Sequence, residues 1–241
     1  MNGYRTDLAY IHDAGFGDYA RKAAPNLLRL LTWHRLHNGK VIDLGCGSGI
    51  LARELCKAGY EVLGVDISAS MIDLARKKAP HAEFRIGSLL RVPLPECSAV
   101  ISIGECINYL FDAKNGNAAR LRLFRRIHTA LLPGGVFIFD FAEPGRAPES
   151  PRRSWMEGRD WAVLVETEGS RRQRRLNRRI ICFRKMAAGW RRSQEKHRLQ
   201  LYECARLLEE LEQIGFQVEQ LNSYGRFRLL PGTAALLAKK R

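Results

Sequence analysis

Long uncharged apolar runs are missing from this chain of 241 residues, of which 27% are Asp, Glu, Lys or Arg. A membrane-spanning helix needs about 18 or more consecutive apolar residues. The longest apolar stretch, residues 134–142, is only as long as a strand and contains Asp140. Residues 1–9 carry Arg5 and Asp7 and lack the apolar segment of a secretory signal. We therefore expect no membrane partner and a cytoplasmic location.

Metal-binding cysteine patterns are missing as well. The six cysteines form no C-x-x-C pair, and no histidine stands beside them at the spacing of zinc ligands. Most of them lie among apolar neighbours, which is typical of small buried side chains in a reducing compartment. The sequence therefore predicts buried free thiols and no metal site.

Negative charge is scarce: 25 Asp and Glu stand against 40 Lys and Arg, a net charge of +15. Residues 146–198 contain 16 Lys and Arg and 6 Asp and Glu, so this segment alone contributes +10. Its most basic part is the turn 170–175. Two interpretations stay open. The segment attracts an anionic or nucleic-acid acceptor, or it is the solvated edge of a sheet, protected by positive charge from pairing with another chain. We favour the second.

Strands and helices alternate through the middle of the chain. Apolar periodicity predicts strands at 40–44, 61–65, 82–86, 98–103 and 136–141, and helices at 49–58, 68–79 and 118–132. A helix at 203–214 and strands at 216–221 and 233–238 follow later. This order is typical of an α/β domain with a parallel sheet covered on both faces. We treat residues 1–241 as one domain.

Two segments stand outside this alternation. Residues 1–37 are expected to form an N-terminal helical cap, made of a leader and a helix at 19–35. Residues 143–202 begin with a stretch rich in Pro, Gly and Arg and continue with three runs of period 2. The period-2 runs predict an antiparallel β lid inserted after the fifth strand.

A glycine-rich loop, D-L-G-C-G-S-G at residues 43–49, follows the first predicted strand. Glycine lets the backbone come close to a ligand at a tight strand-to-helix turn. A dinucleotide fingerprint needs a third glycine at position 50, which is Ile50, and a P-loop needs a lysine that is missing here. Asp66 ends the second predicted strand, where an acid can accept hydrogen bonds from both ribose hydroxyls of a nucleoside.

The loop, Asp66, the exits of the third and fourth strands and the Pro-Gly-Gly at 133–135 together resemble class I methyltransferases that use S-adenosylmethionine (SAM). The resemblance implies a Rossmann-like, mostly parallel seven-stranded sheet with helices on both faces and an antiparallel β insertion after the fifth strand. It also implies SAM as the cofactor and S-adenosylhomocysteine as its product. The residues that it assigns to the cofactor are Asp43, Gly45, Cys46, Gly47, Gly49, Asp66, Ile67, Met71, Ser88, Leu89 and Gly104.

The same resemblance divides the cofactor among these residues. The glycine loop would hold the methionine part, Asp66 the ribose, and Ile67 and Met71 the adenine. Ser88 stands where family members usually carry an acid that accepts from the adenine amino group. A hydroxyl can accept the same bond without a charge.

The acceptor is less well defined. Family members that methylate nucleic-acid amino groups carry an Asn/Asp-Pro-Pro-Tyr motif after the fourth strand, where this chain has G-E-C-I at 104–107. The predicted lid favours a small molecule with an O, N or C nucleophile, methylated by in-line displacement. An RNA methyltransferase that uses the basic insert and a non-catalytic SAM-binding protein remain alternatives, as do a monomer and a homodimer.

A base is needed only where the acceptor is protonated at the working pH. The catalytic candidates are Glu105, Tyr109 and His197, with His12 and Tyr202 as further titratable groups. An ordinary packing or surface role stays open for each of them.

Overall fold

The computed structural model describes residues 3–112 and 114–241. Its helices are α1 (Thr6–Phe16), α2 (Asp18–Trp33), α3 (Ile50–Lys57), α4 (Ala69–Lys78), α5 (Asn117–Ala130) and α6 (Cys204–Ile214). The strands are β1 (Lys40–Leu44), β2 (Glu61–Asp66), β3 (Glu83–Ile86), β4 (Cys97–Ser102), β5 (Leu131–Ala142), β6 (Arg152–Gly158), β7 (Trp161–Ser170), β8 (Arg175–Met186), β9 (Gly189–Gln200), β10 (Phe216–Leu221), β11 (Ser223–Tyr224), β12 (Phe227–Arg228) and β13 (Thr233–Lys240).

The main sheet has seven strands in the order β10-β13-β5-β4-β1-β2-β3. Strands β1 to β5 pair in parallel, and β13 lies antiparallel between β5 and β10. The predicted mostly parallel seven-stranded sheet is therefore confirmed. Strand β5 begins at Leu131, before the Pro-Gly-Gly stop, because Leu131 pairs with Cys97 ahead of a β-bulge.

Helices cover both faces of this sheet, as predicted. Val41 on β1 belongs to the core cluster that contains Leu27 of α2 and Leu51 of α3. The next residue, Ile42, belongs to the opposite cluster, which contains Phe124 of α5. Neighbouring residues of a strand point to opposite faces, so a strand buried on both sides reads as a continuous apolar run.

Residues 152–200 form a separate antiparallel sheet in the order β6-β7-β8-β9, called the lid below. The sequence predicted three of these strands. The fourth, β6, pairs only with β7, and each of its residues is exposed. An edge strand with both faces in solvent has no apolar alternation from which to predict it.

The N-terminal segment contains two helices rather than a leader and one helix. Helix α1 buries Leu8 and Ile11 against Trp161, Val163 and Ile180 of the lid. This packing ties the N-terminus to a segment more than a hundred residues away, and α1 depends on it for its buried face. Among the described residues, no helix is long and apolar enough to cross a membrane.

Candidate active site

A cavity of about 520 Å³ lies at the carboxyl ends of β1, β2 and β4. Open α/β sheets bind ligands at this edge, and the volume is ordinary for a small-molecule site. Val163 and Val165 of β7 and Ile180 of β8 form its lid side. Helices α1 and α2 contribute His12 and Tyr19. The cavity is thus walled by the sheet, the N-terminal helices and the lid.

The three loop glycines all have positive φ: +82° at Gly45, +53° at Gly47 and +76° at Gly49. A Cβ on Gly45 would collide with the Cys106 sulfur, and a Cβ on Gly49 would lie 2.9 Å from the Cβ of Ala75. A Cβ on Gly47 would meet no atom within 4 Å. Gly45 and Gly49 are therefore required by packing, whereas Gly47 leaves open space beside the cavity.

Two carboxylates share the loop end of the cavity. Asp43 is 2% exposed, and its buried Oδ2 has no hydrogen-bond partner among the described residues. Burial, and then the charge of Asp66, raise the pKa of Asp43 to about 7. Asp66 accepts hydrogen bonds from the backbone N–H of Gly47 at 3.0 Å and of Ser68 at 2.8 Å, while burial raises its pKa to about 6. This end of the cavity favours a cation or a strong donor.

Glu105 also lines the cavity, in a left-handed conformation with φ of 62°. Its Oε1 accepts from Arg146 Nε at 2.7 Å and its Oε2 from Arg178 Nη2 at 2.8 Å. Burial raises the pKa of Glu105, but the charges of Arg178 and Arg146 outweigh it, so the pKa lies below its ordinary value. A carboxylate held in this way is a weak base.

Asp140 anchors the strand exit that carries Glu105. It accepts hydrogen bonds from the backbone N–H of Gly104 at 2.8 Å and of Glu105 at 2.6 Å. Tyr19 and Tyr224 also donate to it, at 2.7 and 3.1 Å. These four donors satisfy a fully buried carboxylate and hold the turn after β4 in place.

The other predicted bases differ in position. Tyr109 lines the cavity, where Arg178 Nη1 donates to its hydroxyl at 3.0 Å. His12 also lines it, and burial lowers the pKa of its imidazole to about 4, so the ring is neutral. His197 is 1% exposed, lies 2.9 Å from Glu195 Oε2 and is not part of the cavity wall.

Comparison with known proteins relates the part of the sheet that lines this cavity to methyltransferases. Residues 41–135 match a family model described as a methyltransferase domain. A probable SAM-dependent methyltransferase of Mycolicibacterium smegmatis is 29% identical over 121 residues, which are 50% of this chain and 44% of that protein. Residues 41–135, less than half of the chain, therefore match a methyltransferase domain and resemble SAM-dependent enzymes. The chain's match spans about half the length of such curated relatives.

Solved structures share the fold over nearly the whole chain. A SAM-dependent methyltransferase from Clostridium acetobutylicum has a TM-score of 0.82 at 17% identity, covering 97% of both chains. A sugar N-methyltransferase from Streptoalloteichus has a TM-score of 0.80 at 20% identity, covering 100% of this chain and 96% of the other. The lid and the N-terminal helices therefore fall within the part of the chain that superimposes on these methyltransferases.

The cavity brings together most of the residues that the sequence predicted to bind the cofactor. The predicted cofactor residues in its wall are Asp43, Gly45, Cys46, Gly47, Asp66, Ile67, Met71, Ser88, Leu89 and Gly104. Gly49 is not in the wall, since it packs against α4. Tyr202 is also outside, with the guanidinium of Arg120 stacked 4.4 Å from its ring centre.

Sequence reasoning missed three charged residues of the methyltransferase cavity. Arg146 and Arg178 reach Glu105 across 41 and 73 positions of the chain, and no local pattern marks such pairs. Asp112 lines the cavity near Ser88. Burial raises the pKa of Asp112, but its surroundings outweigh burial and lower the pKa below its ordinary value: first Ser88, then the backbone N–H of Lys114 and the guanidinium of Arg91, whose Nε lies 3.0 Å from Oδ2. An ionised acid therefore stands beside the serine that replaces the family's usual acid.

Proposed function

We propose that the protein transfers the sulfonium methyl group of SAM to a small molecule held between the sheet and the lid, leaving S-adenosylhomocysteine. The observation that carries this proposal is the cavity between the sheet and the lid, whose wall includes lid side chains and Asp43, a buried carboxylate with one oxygen that has no hydrogen-bond partner among the described residues. The likeness of the whole chain to a sugar N-methyltransferase supports an acceptor of metabolite size.

The chemistry of the wall fits SAM. The Asp43 carboxylate suits the ammonium of the methionine part, and Asp66 keeps lone pairs free for two vicinal ribose hydroxyls. The backbone at Gly47 has the open space that a close ligand needs. Ile67, Met71 and Leu89 offer apolar contact to a base. Asp112, beside Ser88, adds an acceptor at this end.

When bound, SAM supplies a methyl group already activated on a positively charged sulfur. The task left to the protein is to align an acceptor with that methyl group and keep water away. Such positioning can supply about 7–11 kcal/mol of the barrier. Val163, Val165 and Ile180 exclude water on the lid side. A neutral amine acceptor needs no base for the transfer itself.

Transfer of label from methyl-labelled SAM tests the proposal, with a cell extract divided into metabolite, protein and RNA fractions. We expect labelled product in the metabolite fraction. Asp66→Ala should strongly reduce the amount of labelled product, and Asp73→Ala, on the exposed face of α4, should not. Label found only in RNA or protein, or no SAM binding by calorimetry, would contradict the proposal.

A further inference from the structure

The charged side chains of the cavity wall fall into two groups. Asp43, Asp66 and Asp112 are the carboxylates assigned above to the SAM site. Two guanidinium groups and one carboxylate, those of Arg146, Arg178 and Glu105, form a second, ion-paired group. The remaining lid residues of the wall, such as Val163 and Ile180, carry no charge. Among the side chains of the wall, this second group therefore has one more positive than negative charge, with the buried Asp140 outside the wall.

The geometry of the cluster leaves that excess on Arg146. Both Nη atoms of Arg178 already donate hydrogen bonds, one to Glu105 and the other to Tyr109. Arg146 donates to Glu105 only through Nε, at 2.7 Å. Its two Nη atoms have no hydrogen-bond partner among the residues that the structure describes, although Arg146 belongs to the cavity wall. Two parallel N–H donors of this kind match a carboxylate or a phosphate.

The position of Arg146 is fixed by its surroundings. It ends the short 3-10 turn Pro144–Arg146 that follows β5, and its backbone N–H donates to Glu143 O at 2.9 Å. A Cβ on Gly232 would lie 2.5 Å from the backbone nitrogen of Arg146, so the 230–233 loop approaches it closely. Glu105 holds Nε from the other side. The guanidinium is thus oriented before any acceptor arrives, which limits the entropic cost of binding.

We propose that the methyl acceptor carries an oxyanion, a carboxylate or phosphate, and that Arg146 binds it while Glu105 and Arg178 hold Arg146 in place. This inference rests on the proposed function, since it concerns the acceptor of that reaction. It assigns Glu105 as a positioning residue rather than a base. The acceptor then binds by its anionic group at one point and presents its nucleophile toward the SAM end.

The test uses the chain of residues 1–241, saturated with S-adenosylhomocysteine, and probes that differ in one anionic group. Glucose 6-phosphate is compared with glucose, and benzoate with benzyl alcohol, at constant ionic strength by calorimetry and thermal shift. We expect at least one anionic probe to bind at least tenfold more tightly than its neutral counterpart. The pair that shows the difference distinguishes a phosphate from a carboxylate.

Arg146→Gln should remove this preference, because the amide can still donate to Glu105 but has no charge. Arg146→Lys keeps the positive charge but lacks the two parallel N–H donors of the guanidinium, so it should retain more of the preference for anionic probes than Arg146→Gln. The matched control is Arg153→Gln, an arginine on the outer face of β6 whose side chain is 84% exposed. It should bind all probes like the wild-type protein.

Three results would overturn the inference: no anionic probe preferred over its counterpart, the preference unchanged in Arg146→Gln, or an equal loss in Arg153→Gln. Should Arg146→Gln not fold, Arg146→Lys with unchanged affinity for the anionic probe would also overturn it. A failure of the proposed function looks different, because S-adenosylhomocysteine and SAM would then not bind the wild-type protein.

Discussion

Asp43→Asn should have two opposite effects at pH 8: a more stable protein without ligand and a weaker affinity for SAM. Asp43 is 2% exposed, and its Oδ2 has no partner among the described residues. Burial, followed by the charge of Asp66, raises its pKa from the ordinary 3.8 to about 7. The charged form is thus costly in the folded protein, and the asparagine removes that cost.

The size of the stabilisation follows from the pKa. Each tenfold change in acidity is worth about 1.4 kcal/mol, so a carboxyl pKa of about 7 rather than 3.8 costs the folded protein about 4 kcal/mol above pH 7. The buried amide of the variant lacks a partner as well, at about 1–3 kcal/mol. We expect a net gain of about 1–3 kcal/mol in the free energy of unfolding, or at least about 2 °C in Tm for a chain of this size.

The effect should depend on pH with a definite sign. Between the ordinary 3.8 and about 7, the folded protein keeps a proton on Asp43 that the unfolded chain releases. The free energy of unfolding of the wild-type protein therefore falls as pH rises through this range. The difference from Asp43→Asn should be largest above pH 7 and small near pH 4.

The loss of affinity comes from the same carboxylate. A hydrogen bond to a charged group contributes about 1.5–3 kcal/mol, so SAM should bind about 10- to 100-fold more weakly. Thermal unfolding and calorimetry at pH 5 and pH 8 measure the two effects, and Asp73→Asn, 68% exposed on α4, is the control. An unchanged Tm at pH 8, or an unchanged SAM affinity, would refute the argument.

Four further substitutions separate ligand contacts from packing. Asp66→Ala should lower the affinity for SAM, measured by calorimetry, by about 10- to 100-fold. An unchanged affinity would show that Asp66 does not contact SAM. Gly47→Ala should lower the affinity for SAM and change Tm little. Gly49→Ala should mainly lower Tm, since its methyl group would lie 2.9 Å from the Cβ of Ala75. The reverse pattern would contradict both assignments. Glu105→Gln should lower the free energy of unfolding by about 1–3 kcal/mol, because two guanidinium groups lose their charged partner. The pH profile of turnover should keep its wild-type shape; loss of its acidic limb would make Glu105 a base.

The sequence predicted the central sheet well because each of its signals is local. A strand buried on both faces is visible as a short apolar run. Backbone positions with positive φ favour glycine, so a tight loop is visible as closely spaced glycines, as at 45, 47 and 49. The lid was predicted less completely. Strand β6 is exposed on both faces, and α1 hides its apolar side chains against β7 and β8, so neither carries a clear period in the sequence.

The candidate site divides in the same way. The positions of Asp43 and Asp66 in the cavity wall could be predicted, because each lies at the end of a strand beside the glycine loop. The surroundings of Glu105 and His197 could not. Glu105 is neutralised by arginines from the 3-10 turn and from β8, and His197 faces Glu195 two residues away instead of the cavity. Burial and partners decide the chemistry of such groups, and both depend on contacts between distant segments.

The register of the lid decides which charge faces the acceptor. Strand β8 contains two consecutive arginines, Arg178 and Arg179, and the side chains of consecutive residues in a strand point to opposite faces. Pairing of Val165 with Ile180 and of Thr167 with Arg178 directs Arg178 inward, and Arg179 instead pairs with Glu166 on the outer face. A shift of one residue would exchange the two arginines and turn Ile180 to solvent. The apolar alternation of β7 and β8 therefore fixes the position of the cation in the cavity.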